Sequence, residues 1–488
     1  MTVVMFEGDS AEQEWQQDIA TYSGLRHPNI LQIYGVASSG SIHAAVFHGD
    51  LVPLHQFLHL HKHSPVLKVY IRASTMEQFG RADDYLTSHG QRLMYGQYNV
   101  WIKPSTGTIS LEFTTDYWEG RWGWPVDAMA IQNPAFLFNA PNREAMAIDC
   151  MSLHMYHQIC HWILSYSVDS NYLPTFTSVT LGAVVSWPHS RQPMAEINSF
   201  TFEVQRCNFS DDCVELASVE HIKVDICGWF GSDEEGVVMA NGWTRFSTRS
   251  VISSYPRAVH LTLRVGGSDI FGWLSQANHV LKRLEIASNF HNYVFLEAIS
   301  IYMRIQPITE NTPIGYLFLC PASHFRTGPA SFTWPDCPAY WSLDFSGMER
   351  LSTEEARYFG FPSFESSSQV SGTFWEGSTY AGLRQFHAGK GFDPDSQELA
   401  HHLEYPLYQL SSEVPTHVDA EAEVAESAAM TQLSASDFSA TSATSAHDSE
   451  GRIHDKMAPV SGIFKLLMNF QLGLILFIFV YQACEAIF

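Results

Sequence analysis

The stretch "YSGLRHPNILQIYG", residues 22–35, decides how the front of this chain is read. It runs from an apolar turn through the loop Leu25–Ile30 into a strand-like segment. Around it, roughly over residues 1–165, short strands alternate with amphipathic helices. Beyond about residue 170 the pattern changes. "TFTSVTLGAVVSW", "SFTFEVQRC", "HIKVDICGWF", "AVHLTLRVGG" and "AISIYMRIQPI" are rich in β-branched and aromatic residues and bounded by Gly, Pro, Asn or Asp, which marks strands. "SDIFGWLSQANHVLKRLEI" (268–286) interrupts them. Ile270, Leu274, Ala277 and Leu281 fall on one side at helical spacing, so a helix packed on a sheet is expected there.

The composition allows real cores: 45% of residues are hydrophobic and 13% aromatic, over a length that fits two or three domains. The formal net charge of −24 argues against nucleic acid or an anionic membrane surface as the main partner, since both require a basic face. Eight cysteines form no C-x-x-C, so neither a zinc ribbon nor a dense disulfide framework is expected. The start "MTVVMFEGDSAEQEW" lacks a basic and then apolar leader, which predicts a body in reducing cytosol. The sequon at Asn208 therefore carries little weight.

Residues 346–410 read as short helices. Ser352 with Glu355 forms a capping box, and Asp395 with Glu398 has the spacing to do the same. No Lys or Arg stands between Lys390 and Arg452, a stretch with twelve Asp or Glu. Within it, residues 411–460 are acidic and rich in Ser, Thr and Ala. Their few large apolar side chains do not repay ordering entropy, so a disordered linker is expected. The chain then carries "LLMNFQLGLILFIFVYQAC" (466–484), uncharged between Lys465 and Glu485. A membrane span over 463–485 is expected. Arg452, Lys456 and Lys465 precede it, which places the large body in the cytosol and makes the segment a tail anchor.

The front of the chain resembles a protein kinase in degenerate form, over roughly residues 1–165. "VVMFEG" is similar to the kinase strand that carries the phosphate-binding lysine, and "LRHPNILQIYG" to the loop and strand after the regulatory helix. "IHAAVFHGDLVPLHQFL" (42–58) resembles the next strand, the hinge and its helix. "DDYLTSHGQ" (83–91) resembles the end of the helix before the catalytic loop, and "YNVWIKPSTGTISLEFT" (98–114) the strand pair after it. The whole pattern also resembles expanded families of uncharacterised proteins in mushroom-forming fungi, which implies no activity.

The resemblance implies a pseudokinase. Phe6 occupies the lysine position, and Asp18 the position of the helix glutamate that would pair it. No Gly-rich loop and no H-R-D are present; the base position falls on Met94 or a neighbour in "QRLMYGQYN". Asn99 and Glu112 stand where the family holds magnesium, which makes them the weak nucleotide-binding candidates for ATP and Mg. Phosphoryl transfer is mostly positioning and charge neutralisation, and these losses remove most of both. "DCMSL" (149–153) is loosely similar to the central large-lobe helix.

Two histidine groups have metal-like spacing. His55, His59 and His63 stand i, i+4, i+8, with no carboxylate or cysteine at a suitable position nearby. On one continuous helix over 148–164, Cys150, His154, His157 and His161 would share a face, a ligand set that zinc accepts once another element closes the tetrahedron. The competing reading is a core helix whose histidines hydrogen-bond to their neighbours. Cys337, in an aromatic and Pro-rich stretch, would need a His base to be reactive, and Asp336 beside it works against a thiolate.

The expected fold class is α+β. A degenerate kinase-like module (1–165) precedes a β-rich domain (166–345), short helices (346–410), the linker (411–460) and the transmembrane anchor (463–485). The expected function is non-catalytic binding or scaffolding of a protein partner at a membrane. The alternative is an enzyme, either a kinase-like one with residual ATP binding or a metal-dependent one at the Cys150, His154, His157 and His161 face.

Overall fold

The structure, a computed structural model, describes residues 1–90, 98–113, 137, 140–173, 178–188, 205–209, 213–230, 236–248, 257–306 and 312–411. The catalytic-loop stretch around Met94, the acidic linker after Ser411 and the apolar segment 466–484 lie outside these residues. No helix among the described residues is long and apolar enough to cross a membrane.

The front half is built from β1 (Thr2–Phe6), α1 (Ala11–Ser23), β2 (Ile33–Ser39), β3 (Ile42–Phe47), β4 (Val52–Pro53), α2 (Leu54–Leu60), α3 (Pro65–Ser88), β5 (Tyr98–Lys103) and β6 (Thr108–Phe113). β1, β3 and β2 form an antiparallel sheet in that spatial order, and α1 packs across β3. The alternation in β1 is that of a half-buried strand: Val4 and Phe6 point into the core, Val3 and Met5 into solvent. Glu12 and Glu14 in the first turn of α1 suit the positive end of its dipole. β4, β5 and β6 make a second antiparallel sheet.

The opening stretch closes this half. Asn29 is buried and its Nδ2 donates to Gln78 Oε1 of α3 at 2.9 Å and to the Ile109 carbonyl of β6 at 3.1 Å. Gln78 Oε1 also accepts from Ile109 N, and its Nε2 donates to the Gly107 carbonyl at 3.0 Å. Backbone bonds between Asn29 and Leu111, and between Leu31 and Leu111, extend the seam. One loop, one helix and one hairpin are thus fixed by a pair of amides whose polar atoms find partners inside the core.

The rest comprises α4 (Arg143–Cys150), α5 (Leu153–Trp162), β7 (Ser165–Ser170), β8 (Val179–Thr180), β9 (Val184–Ser186), β10 (Gln205–Cys207), β11 (Val214–Ser218), β12 (Val224–Ile226), β13 (Val237–Val238), β14 (Thr244–Ser247), β15 (Arg257–Val265), α6 (Gly267–Arg283), β16 (Tyr293–Ile305), β17 (Tyr316–Leu319), β18 (Ser331–Phe332), β19 (Ala339–Ser342), α7 (Thr353–Phe359), β20 (Phe364–Trp375), α8 (Gly377–Gly389), α9 (Glu398–His402) and β21 (Gln409–Leu410). Among the described residues a nine-stranded sheet runs β10-β7-β20-β16-β9-β11-β21, with β15 and β12 carried on β16. A smaller sheet has the order β13-β14-β17-β19. β16 is buried on both faces over its first four residues, and its second half alternates, with Ser300, Tyr302 and Arg304 on the more open face. The chain is an α+β protein.

The helix expected over 268–286 is α6, and its Ile270, Leu274, Ala277 and Leu281 are buried. The burial extends to Phe271, Trp273 and Gln276, so α6 lies within the core rather than on it. The Ser352–Glu355 capping box is present in both of its bonds. Two expectations change. Asp395 caps nothing; it accepts from Lys282 and Arg384 and ties α6 to α8, while α9 begins after Gln397. The region 346–410 is not helical throughout, because β20 supplies twelve residues to the main sheet beside β16. Nor does the core respect residue 165. Val66, Tyr70 and Ala73 of α3 and Ile148, Tyr156 and Ile159 of α4 and α5 join the larger core with β16 and α8. Ile71, Phe79 and Leu86 of the same α3 belong to the smaller front core.

Because Asn29→Ala removes two buried hydrogen bonds, to Gln78 Oε1 and to the Ile109 carbonyl, it should cost about 1–3 kcal/mol. Urea unfolding followed by circular dichroism would measure it. A loss below a few tenths of a kcal/mol would show that the amide pair does not hold the loop.

Candidate functional site

The two nucleotide-binding candidates do meet. Asn99 and Glu112 are cross-strand partners in the β5–β6 pair. Asn99 Nδ2 donates to Glu112 Oε2 at 2.9 Å, and the indole Nε1 of Trp101 donates to the same oxygen at 2.9 Å. Trp101 lies two residues beyond Asn99, on the same face of β5, so the period of two brings both donors to one carboxylate. Glu112 is only 4% exposed. Burial pushes its carboxyl above the ordinary range, and the two N–H donors oppose that shift.

α1 faces this group. Asp18 is pushed up to about 6, first by burial, then by the negative charges of Glu112 and Glu14. One turn on, the Tyr22 hydroxyl accepts from Phe113 N at 2.7 Å, and its ring stacks on Phe113 at 5.8 Å. Phe6 is fully buried in the front core. Among the described residues no Lys, Arg or His forms an ion pair with Asp18 or Glu112. The cluster is therefore acidic, and the fold disfavours the charged form of both carboxyls. A phosphate would meet repulsion, and a cation at Glu112 Oε2 would displace two hydrogen bonds.

The histidine face is rearranged. The single helix expected over 148–164 is two helices. Met151 is extended (φ −106°, ψ 138°), and the Ser152 hydroxyl caps α5 by accepting from Met155 N. Cys150 thus leaves the helix that carries the three histidines. His157 Nε2 meets His387 Nε2 of α8 at 2.9 Å, with the rings edge to face. Burial holds His387 down to about 3 and His157 well below its ordinary value, so both are neutral and one ring donates to the other. His154 lies edge-on to Phe271; His161 lies against Trp162 and is held down to about 4 by burial and then by Arg264. Burial and Asp149 push the Cys150 thiol up, away from the thiolate zinc binds. Among the described residues no group of three or more His, Cys, Asp or Glu is arranged to hold a metal ion. His55 and His59 lie on α2, but His63 falls in the link before Pro65, which breaks the third step of that spacing.

Cys337 is exposed, and its thiol lies 3.7 Å from the Ala339 carbonyl oxygen. All described cysteines are free. Sequence reasoning missed Trp101, Tyr22 and His387. Strand alternation carried a signal for Trp101; nothing in the sequence pairs His157 with a residue 230 positions away.

The raised carboxyl of Asp18 sets a sign for pH dependence. The fold favours its protonated form, so that contribution is complete below the ordinary carboxylate range and is lost as pH rises through about 6. Asp18→Asn should therefore match the parent near pH 4 and exceed it near pH 8, by about 1 kcal/mol after discounting for solvent at this half-buried group. Paired thermal unfolding curves at the two pH values would test this; equal stability at both would show that Asp18 is solvated like any surface acid. Set against known proteins, the chain matches no family model, no curated protein and no solved structure.

Proposed function

We propose that this chain is a non-catalytic, membrane-anchored, pseudokinase-like protein that binds or scaffolds a protein partner. The observation that carries the reading is the buried Glu112. It accepts from Asn99 and Trp101 and faces Asp18, with Phe6 in the front core where the resemblance calls for lysine. A phosphoryl-transfer cleft needs positive charge at the phosphates, since there is little other chemistry for the protein to do. Here the side chains at those positions are acidic or apolar.

The surrounding architecture supports the same reading. A helix between β1 and β2 packs on β3, the strand order is β1-β3-β2, and a hinge-like β4 leads to α2 and the long α3. These are the pieces that the resemblance implies, in its order. A front half kept in shape without its phosphate chemistry offers surfaces rather than turnover. The membrane part of the proposal rests on residues 466–484, nineteen uncharged residues that would rise about 28 Å as a helix, close to the hydrocarbon thickness.

The full-length protein should show no thermal stabilisation by millimolar ATP with magnesium and no incorporation of labelled phosphate. A ligand present at a hundred times its dissociation constant would add about 2.7 kcal/mol, well within detection. Saturable stabilisation that Glu112→Gln abolishes would overturn the pseudokinase reading in favour of residual nucleotide binding.

The full-length protein should also stay with membranes through a carbonate wash, while a version ending at residue 460 should not, and the body should be open to protease in sealed vesicles. Release of the full-length protein by carbonate, or protection of the body, would overturn the anchor and its orientation.

A further inference from the structure

The small sheet holds a site unrelated to the acidic cluster. An open cavity of about 520 Å³ is lined by Trp243, His324, Pro335, Asp336, Cys337 and Arg350. Its floor is aromatic and fixed. Trp243 of the loop before β14 and Tyr340 of β19 are buried, with ring centroids 4.9 Å apart. Tyr340 also stacks on Phe318 of β17 at 5.1 Å, and its hydroxyl donates to the Gly347 carbonyl. His324 meets the edge of Trp243 at 5.7 Å.

Arg350 lies over this floor. Its guanidinium carbon sits 4.5 Å from the Tyr340 centroid and 5.0 Å from that of Trp243. The next residue is pinned, with Leu351 N donating to the Trp341 carbonyl at 2.9 Å. The Tyr340 hydroxyl takes a hydrogen bond from this guanidinium, which leaves the remaining N–H groups of its five. Among the described residues no carboxylate pairs with Arg350 within ion-pair distance. The long side chain is thus held in place before any ligand arrives, which removes part of the ordering cost of binding.

We propose that this cavity binds a small organic carboxylate, its planar head on the in-plane N–H fork of Arg350 and its apolar body against Trp243 and Pro335. A planar monoanion fits a planar fork in two parallel hydrogen bonds. A phosphate dianion fits worse, because Asp336 lines the same cavity and the chain as a whole carries −24.

The test uses benzoate as the probe and the full-length protein in detergent. Saturation-transfer NMR and calorimetry should report weak, saturable binding. Arg350→Gln should weaken it about tenfold or more, and Arg350→Lys, which keeps the charge but not the fork, should also weaken it. Asp336→Asn should tighten it. Unfolding curves of the variants establish that they are folded; Arg350→Gln gives up the contacts with Trp243 and Tyr340, so a small loss of stability with a cooperative transition is expected. Absence of saturable benzoate binding, or binding that Arg350→Gln leaves intact, overturns the proposal. Inorganic phosphate binding more tightly than benzoate at the same Arg350 would overturn the carboxylate class.

Discussion

The amide pair of Asn29 and Gln78 is the constraint on which the front half depends. A loop that must turn between a helix and a strand leaves backbone groups that cannot find ladder partners. Here the loop carbonyl of Asn29 and the amide of Leu31 pair with Leu111, while the two side-chain amides take up Gly107 and Ile109. Gln78 reaches all of this from the middle of α3. That helix spans about 36 Å at 1.5 Å per residue, long enough to serve two cores. Its Ile71, Phe79 and Leu86 pack under the front sheets, and its Val66, Tyr70 and Ala73 pack with α5 and α8. The hydrogen-bonded node and the shared helix together make the front half part of one folded body.

How much of this was legible depended on whether the signal was local. β-Branched and aromatic composition exposed β15 and β16, and the Ser352–Glu355 box is a bond between residues three apart. β20 was not legible. "FESSSQVSGTFW" carries Ser, Gln and Gly where a buried strand normally carries Val or Ile. Its polar groups are satisfied by distant partners: Ser170 Oγ accepts from Val370 N, and Gln369 Nε2 donates to the Ser170 carbonyl. Gly372 has no freedom to be larger, since a β-carbon there would lie 2.3 Å from Val294 Cγ1. Tertiary packing thus overrode local propensity.

The candidate sites divide in the same way. Asn99, Glu112 and Asp18 were singled out by their positions in the kinase resemblance. Their burial, and so their protonation, is a property of the packed core. The histidine face was drawn on an unbroken helix; the break at Met151–Ser152 gives α5 its own cap and frees it to turn His157 toward α8. A neutral pair of imidazoles at that contact satisfies one nitrogen of each ring without introducing charge into the core. The Asp395 spacing misled for a related reason. A short carboxylate can cap a helix, but two cations on neighbouring helices, Lys282 and Arg384, bind it better than a backbone amide does.

The electrostatics of the two halves point to different uses. In the front half burial raises Glu112, and burial and then the charge of Glu112 raise Asp18, with no ion-pair partner for either among the described residues. Hydrogen bonds from Asn99 and Trp101 hold Glu112 in place, and an acidic cluster gains nothing from an anionic ligand. In the small sheet the reverse holds: a fixed cation lies over aromatic rings with its donor edge uncommitted to any carboxylate among the described residues. Charge complementarity therefore directs an anion away from the position where the kinase resemblance would seat one, and toward the cavity beside Arg350. The front half also carries an apolar patch. There the outer face of β1 and its neighbours exposes Val3, Met5, Tyr34 and Ile42 to solvent.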